Sequence, residues 1–100
     1  MNVRELSEKY QNEIVALRRE FHQNPELSWQ EYNTAARIEK ELNKIGINDT
    51  KRIAGTGVVG SIKGEKGNKV VALRADIDAL LVQEENETSY RSQNDGIMHA

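Results

Sequence analysis

The sequence predicts an α/β fold in the order helix, helix, β-hairpin, forming one portion of a larger mixed-sheet domain. Three observations predict it. Two stretches carry apolar residues at spacings of three and four, the mark of amphipathic helices. After Gly46 that period gives way to short runs rich in Val, Ile and Gly, as expected of strands. The run Val70-Val71-Ala72-Leu73 is uniformly apolar, so as a strand it needs neighbours on both faces. One hundred residues with two helices and a hairpin supply too little material for that.

The first helix is read over residues 3–22, where Val3, Leu6, Tyr10, Ile14, Leu17 and Phe21 form one stripe and Glu5, Glu8, Lys9, Glu13 and Glu20 the opposite face. Asn24-Pro25 stops it, because a residue before proline is pushed out of the α region. The second helix is expected to start at Ser28 and Glu31, an S-x-x-E capping box, with Leu27 and Tyr32 at the staple positions. Its stripe is Tyr32, Ala35, Ile38, Leu42 and Ile45, and Gly46 ends it as a left-handed residue with Ile47 folding back on the last turn. Gly57 to Lys63 and Lys69 to Ala75 read as an antiparallel hairpin closed by Gly64–Asn68, with a further short strand at Thr50 to Ile53 and a bend at Gly55-Thr56-Gly57. Residues 82–96 are polar and read as a loop, in which Glu84, Glu85 and Glu87 are expected to be solvated.

Composition narrows the function classes. Apolar residues make up 37% and charged residues 30%, with a net charge of −2, which suits a globular chain rather than a disordered one. No basic stripe is present, so nucleic acid is not an expected partner. No apolar stretch approaches the ~20 residues of a membrane span, and Met1 to Tyr10 lacks the apolar core of a signal peptide. A cytoplasmic location is therefore expected, and the two N-x-T sequons at Asn48 and Asn86 are read as chance matches. The absence of cysteine excludes a disulfide framework and a thiolate metal site within these residues.

The chemistry is expected where the apolar run ends. Asp76 and Asp78 follow it two residues apart, on one side of a regular strand. Acids at the end of a buried strand are costly unless a cation or hydrogen-bond donors meet them, and strand ends are where α/β proteins build sites. The bland alternative is that both acids are solvated. His22 is read as a cap on the turn between the helices, and Phe21 and Trp29 as core.

Four strings occur in order: Arg18-Arg19-Glu20-Phe21-His22-Gln23-Asn24-Pro25-Glu26-Leu27-Ser28, Gly55-Thr56-Gly57-Val58-Val59, Ala72-Leu73-Arg74-Ala75-Asp76-Ile77-Asp78-Ala79-Leu80, and Gly96-Ile97-Met98-His99-Ala100. Together they resemble the N-terminal part of the metal-dependent amidohydrolases of the aminoacylase/carboxypeptidase superfamily, in the branch with hippurate hydrolases, auxin-conjugate hydrolases and N-acetyl-diaminopimelate deacetylases. The resemblance runs from about residue 14 to residue 100. It implies a metallopeptidase-like catalytic domain of which residues 1–100 are the N-terminal part, and hydrolysis of a small N-acyl amino acid by metal-activated water. In the family M-H-A continues as C-G-H-D, whose cysteine and histidine bind metal, and the remaining ligands and the general-base glutamate come later. By resemblance, then, this chain holds no metal ligand and no catalytic residue, and a divalent ion, zinc or manganese, belongs to the longer protein.

The residues that the resemblance marks as supporting the centre are Asp78, Asp76 and His99. Asp78 matches the acid that other branches place two residues after a ligand histidine, where it would accept from that histidine and fix its tautomer. Asp76 stands at the position of that ligand, and His99 lies close in sequence to the ligand pair. Leu81 replaces the proline usual after D-A-L, which removes a rigid turn. Two rival readings are a small standalone α/β interaction module whose sheet edge recruits a partner strand, and a truncated reading frame without function. The oligomeric state is not legible.

Overall fold

The computed structural model describes all residues, Met1–Ala100. The chain forms two units: Met1–Pro25 with Ala79–Ala100, and Glu26–Asp78. The element order is α1, Val3–Gln23; α2, Tyr32–Lys44; β1, Thr50–Ile53; and β2, Gly57–Gly60. This is the helix, helix, hairpin order read from the sequence.

In the first unit α1 starts where Asn2 caps it, its side-chain oxygen accepting from the N–H groups of Arg4 at 3.1 Å and Glu5 at 3.4 Å. The helix ends through Asn24. Its N–H donates to the Phe21 carbonyl at 3.2 Å and its side-chain amide to the Glu20 carbonyl at 2.8 Å. Asn24, not His22, thus caps this turn, which corrects the sequence expectation. Only the last turns of α1 are covered; Val3, Leu6, Tyr10 and Ile14 are exposed. The segment 79–100 is tied to those turns by the Gln93 N–H on the Gln23 carbonyl at 2.9 Å and the Asn94 amide on the buried Pro25 carbonyl at 2.8 Å. An antiparallel bridge between Leu80 and Met98 closes the segment on itself, around buried Ala79.

The second unit begins with a turn rather than a capping box. The Gln30 N–H donates to the Leu27 carbonyl at 2.9 Å, and Trp29 sits in the left-handed region at φ 67°. That turn aims Ser28 away from the helix and delays the start of α2 to Tyr32, whose preceding residue Glu31 makes no capping bond. The cap is Glu26 instead. Its carboxylate accepts from the Thr34 N–H at 2.5 Å, the Thr34 hydroxyl at 2.6 Å and the Asn33 N–H at 3.3 Å. A carboxylate there also suits the positive end of the helix dipole. Trp29, expected in the core, is 71% exposed at the tip of this turn.

The other end of α2 follows the sequence reading. Gly46, at φ 95°, donates to the Asn43 carbonyl at 3.1 Å, and Ile47 donates to the Leu42 carbonyl at 2.8 Å. This 6→1 and 5→2 pair is a Schellman stop, and it returns Ile47 onto Leu42. A Cβ added at Gly60 would lie 3.2 Å from both of those side chains, so glycine lets β2 pass close to the helix.

The hairpin lies one strand earlier than expected. β1 and β2 pair antiparallel with Thr50 opposite Gly60 and Ile53 opposite Gly57. Ala54 and Gly55, at φ 53° and 84°, supply the consecutive left-handed residues that tight hairpin loops use. A three-residue connection closes at less entropic cost than the longer Gly64–Asn68 loop, and β2 pairs with Thr50–Ile53 rather than with Lys69–Ala75. Arg52 bonds Glu39 and donates to the Gly55 carbonyl at 3.2 Å, bracing the loop. Lys69–Ala75 is therefore no strand here: Val70, Val71 and Leu73 are 93%, 88% and 100% exposed. No helix is long and apolar enough to cross a membrane.

Candidate functional site

The two acids after the apolar run lie in the second unit and have different surroundings. Asp76 is exposed and pairs with the Arg74 guanidinium at 2.9 Å. A pair that open to water contributes little, of order 0–1 kcal/mol. Asp78 is half-buried, and its carboxylate accepts from the Ser28 hydroxyl at 2.6 Å. This is where Ser28 goes when the Leu27–Gln30 turn withdraws it from the helix start. Both acids line an open groove of about 670 Å³ that also takes in Ser28, Glu31, Thr56 and Arg74. Glu31 and Thr56 are buried in its wall, the Thr56 hydroxyl reaching the Glu31 carboxylate at 3.4 Å.

His99 belongs to the first unit, where it meets two residues that sequence reasoning placed elsewhere. His22 Nε2 lies 2.8 Å from Oε2 of Glu84, and the two are only 6% and 2% exposed. The His99 ring stands edge-on to that of His22, with centroids 6.5 Å apart. Tyr90 takes a second edge-on position at 5.9 Å, and the Arg19 guanidinium lies 4.6 Å over its ring. Glu84 is thus no solvated loop residue, and a buried carboxylate persists only with partners. It has several: the Ser92 N–H at 2.6 Å, His22, and the Asn86 amide at 3.3 Å. The Ser92 N–H first, then His22, hold its carboxyl at about 2, below the ordinary 4.5, against the opposing effect of burial. The sequence signal for this pair was weak, because its members are 62 residues apart.

Within the chain no three His, Asp or Glu side chains converge as a metal site would require. The donors present do not by themselves fit the divalent ion that the resemblance implies.

Comparison with known proteins gives the class. No protein-family model matches the chain. It is 46% identical over 88 residues to thermostable carboxypeptidase 2 of Saccharolobus solfataricus, a match covering 87% of this chain and 22% of that protein. It is 39% identical over 98 residues to an N-acyl-L-amino acid amidohydrolase of Geobacillus stearothermophilus, covering 98% of this chain and 26% of that one. Among solved structures, the Bacillus subtilis YXEP protein, described as a dinuclear metal binding peptidase from the M20 family, superposes with a TM-score of 0.85 at 37% identity, over 92% of this chain and 26% of that one. The fold matches that of a metallopeptidase, and the similar proteins are amidohydrolases and carboxypeptidases. The chain belongs to their aminoacylase/carboxypeptidase superfamily and spans about a quarter of the length of these relatives.

Proposed function

We propose that the whole protein hydrolyses the amide bond of small N-acyl amino acids in the cytoplasm, using a divalent metal ion, zinc or manganese, bound by residues outside these hundred. Residues 1–100 form the N-terminal part of its catalytic domain. The observation that carries this reading is the 39% identity to an N-acyl-L-amino acid amidohydrolase over 98% of the chain. The exposed row Val70, Val71 and Leu73 supports it, since an apolar segment of strand composition needs a sheet that a protein four times longer can supply.

Within this reading Asp78 is a positioning residue. Its half-buried carboxylate, which accepts from Ser28, would accept from an imidazole N–H and so fix the tautomer and direction of a histidine that binds the metal. Asp76, engaged by Arg74 in the open part of the groove, has no comparable support. The test is to purify the full-length protein and follow release of the amino acid from N-acetyl-methionine and from hippurate, with and without chelator. Hydrolysis that chelator abolishes and zinc or manganese restores is expected. No turnover of any N-acyl amino acid by the metal-loaded protein would overturn the reading.

A further inference from the structure

The His22–Glu84 pair is buried and bonded on several sides. Glu84 gathers the first unit from several directions. Oε2 meets His22 on the last turn of α1 at 2.8 Å, Oε1 accepts from the Ser92 N–H at 2.6 Å, and the Glu84 carbonyl accepts from the Arg91 guanidinium at 2.7 Å. Ser92 carries the constraint onward: its hydroxyl lies 2.8 Å from the Ile97 carbonyl and 3.0 Å from that of Asn94, and it accepts from the Asn94 N–H at 3.2 Å. Met98 is bridged to Leu80 by two backbone hydrogen bonds, 2.9 and 3.1 Å. His99 then meets the face of the cluster, its ring edge-on to the same His22 whose Nε2 is committed to Glu84.

Stability alone is a poor reason for such a group. A buried pair of this kind can often be exchanged for apolar side chains at no loss, because desolvation offsets most of the attraction. What apolar packing cannot supply is direction. The carboxylate accepts along fixed lone pairs, and the bonds from Glu84 through Ser92 to Ile97 fix the backbone that presents His99.

We propose that His22 and Glu84 are a positioning pair for catalysis: they touch neither substrate nor metal, and they set the His99 ring and the backbone of residues 97–99. The proposal rests on the amide-hydrolysis reading above, under which this string adjoins the family's ligand pair.

The test compares four forms of the full-length, metal-loaded protein: wild type, His22→Leu, His22→Gln and Glu84→Gln. Glutamine can place a donor N–H near the former Nε2; leucine fills the space without one. His22→Leu and Glu84→Gln are expected to lower kcat roughly 10-fold or more, with KM within about twofold of wild type, and His22→Gln to recover most of the loss. At one fixed pH, the Ser92 amide signal and the His99 ring signals should move in the first two variants and return near their wild-type positions in His22→Gln. Wild-type kcat in His22→Leu would overturn the proposal, as would an equal loss in His22→Gln. Should His22→Leu fail to fold, the isosteric Glu84→Gln decides by the same readouts. If the wild type hydrolyses no N-acyl amino acid, the functional reading fails, while the Ser92 and His99 signals still decide whether the pair positions this segment.

Discussion

Asp78 and Glu84 show how differently two acids of one short stretch are used. Asp78 keeps part of its surface and accepts from the Ser28 hydroxyl, whereas Glu84 is buried with several donors. The lowered Glu84 carboxyl gives a pH prediction. A carboxylate whose folded pKa is depressed stabilises the fold above its unfolded value and loses that contribution as pH falls through its folded value. The stability advantage of wild type over Glu84→Gln should therefore be full above about pH 4.5 and vanish towards about pH 2; denaturant unfolding of both full-length forms across that range measures it. A second residue-level prediction concerns the cap. Glu26→Ala should cost about 1–2 kcal/mol, because it leaves the Thr34 N–H and hydroxyl at the start of α2 without their acceptor. Ser28→Ala should cost clearly less, since Ser28 caps nothing. Thermal unfolding of the full-length variants checks the order; a larger loss from Ser28→Ala contradicts it.

At the scale of elements, the boundaries set by local chemistry were legible and those set by competition were not. The stripe from Val3 to Phe21 and the stop at Asn24-Pro25 give α1 within a residue of its observed span, and Gly46 with Ile47 forms the stop expected of it. The start of α2 was misplaced because the S-x-x-E pattern is present but the left-handed Trp29 turn takes Ser28 elsewhere, leaving Glu26, two residues upstream of the pattern, to cap. The hairpin was misplaced because Gly57–Gly60 had two strand-like neighbours, and composition does not say which one a chain pairs. The Gly46 stop is open to test: Gly46→Ala forces a side chain into φ 95° and should cost about 1 kcal/mol or more in thermal unfolding, although nothing lies within 4 Å to clash. Gly57→Ala should cost more, because its Cβ would stand 2.7 Å from the Ile53 carbonyl oxygen.

For the whole molecule, family and class were legible because four ordered strings suggested them, and relatives 39–46% identical over most of the chain belong to that class. The end of a strand-like run is what singles out Asp76 and Asp78 in the sequence, while the His22–Glu84 contact joins residues that no local pattern links. The exposed apolar row at Val70–Leu73 makes the same point about completeness of packing: its cover is not within these hundred residues. A chain of residues 1–100 alone should accordingly release no amino acid from hippurate with zinc or manganese present. Chelator-sensitive turnover by it would contradict the assignment of the metal to residues elsewhere. The central claim, that this part of the protein supports a metal centre through Asp78, is tested most directly in the full-length enzyme by comparing Asp78→Asn with Glu85→Gln, a change on the exposed loop. Measured as kcat/KM on N-acetyl-methionine together with bound metal, Asp78→Asn should lose roughly 10–100-fold in one or both, and Glu85→Gln should match wild type. Wild-type values of both quantities in Asp78→Asn would contradict the account.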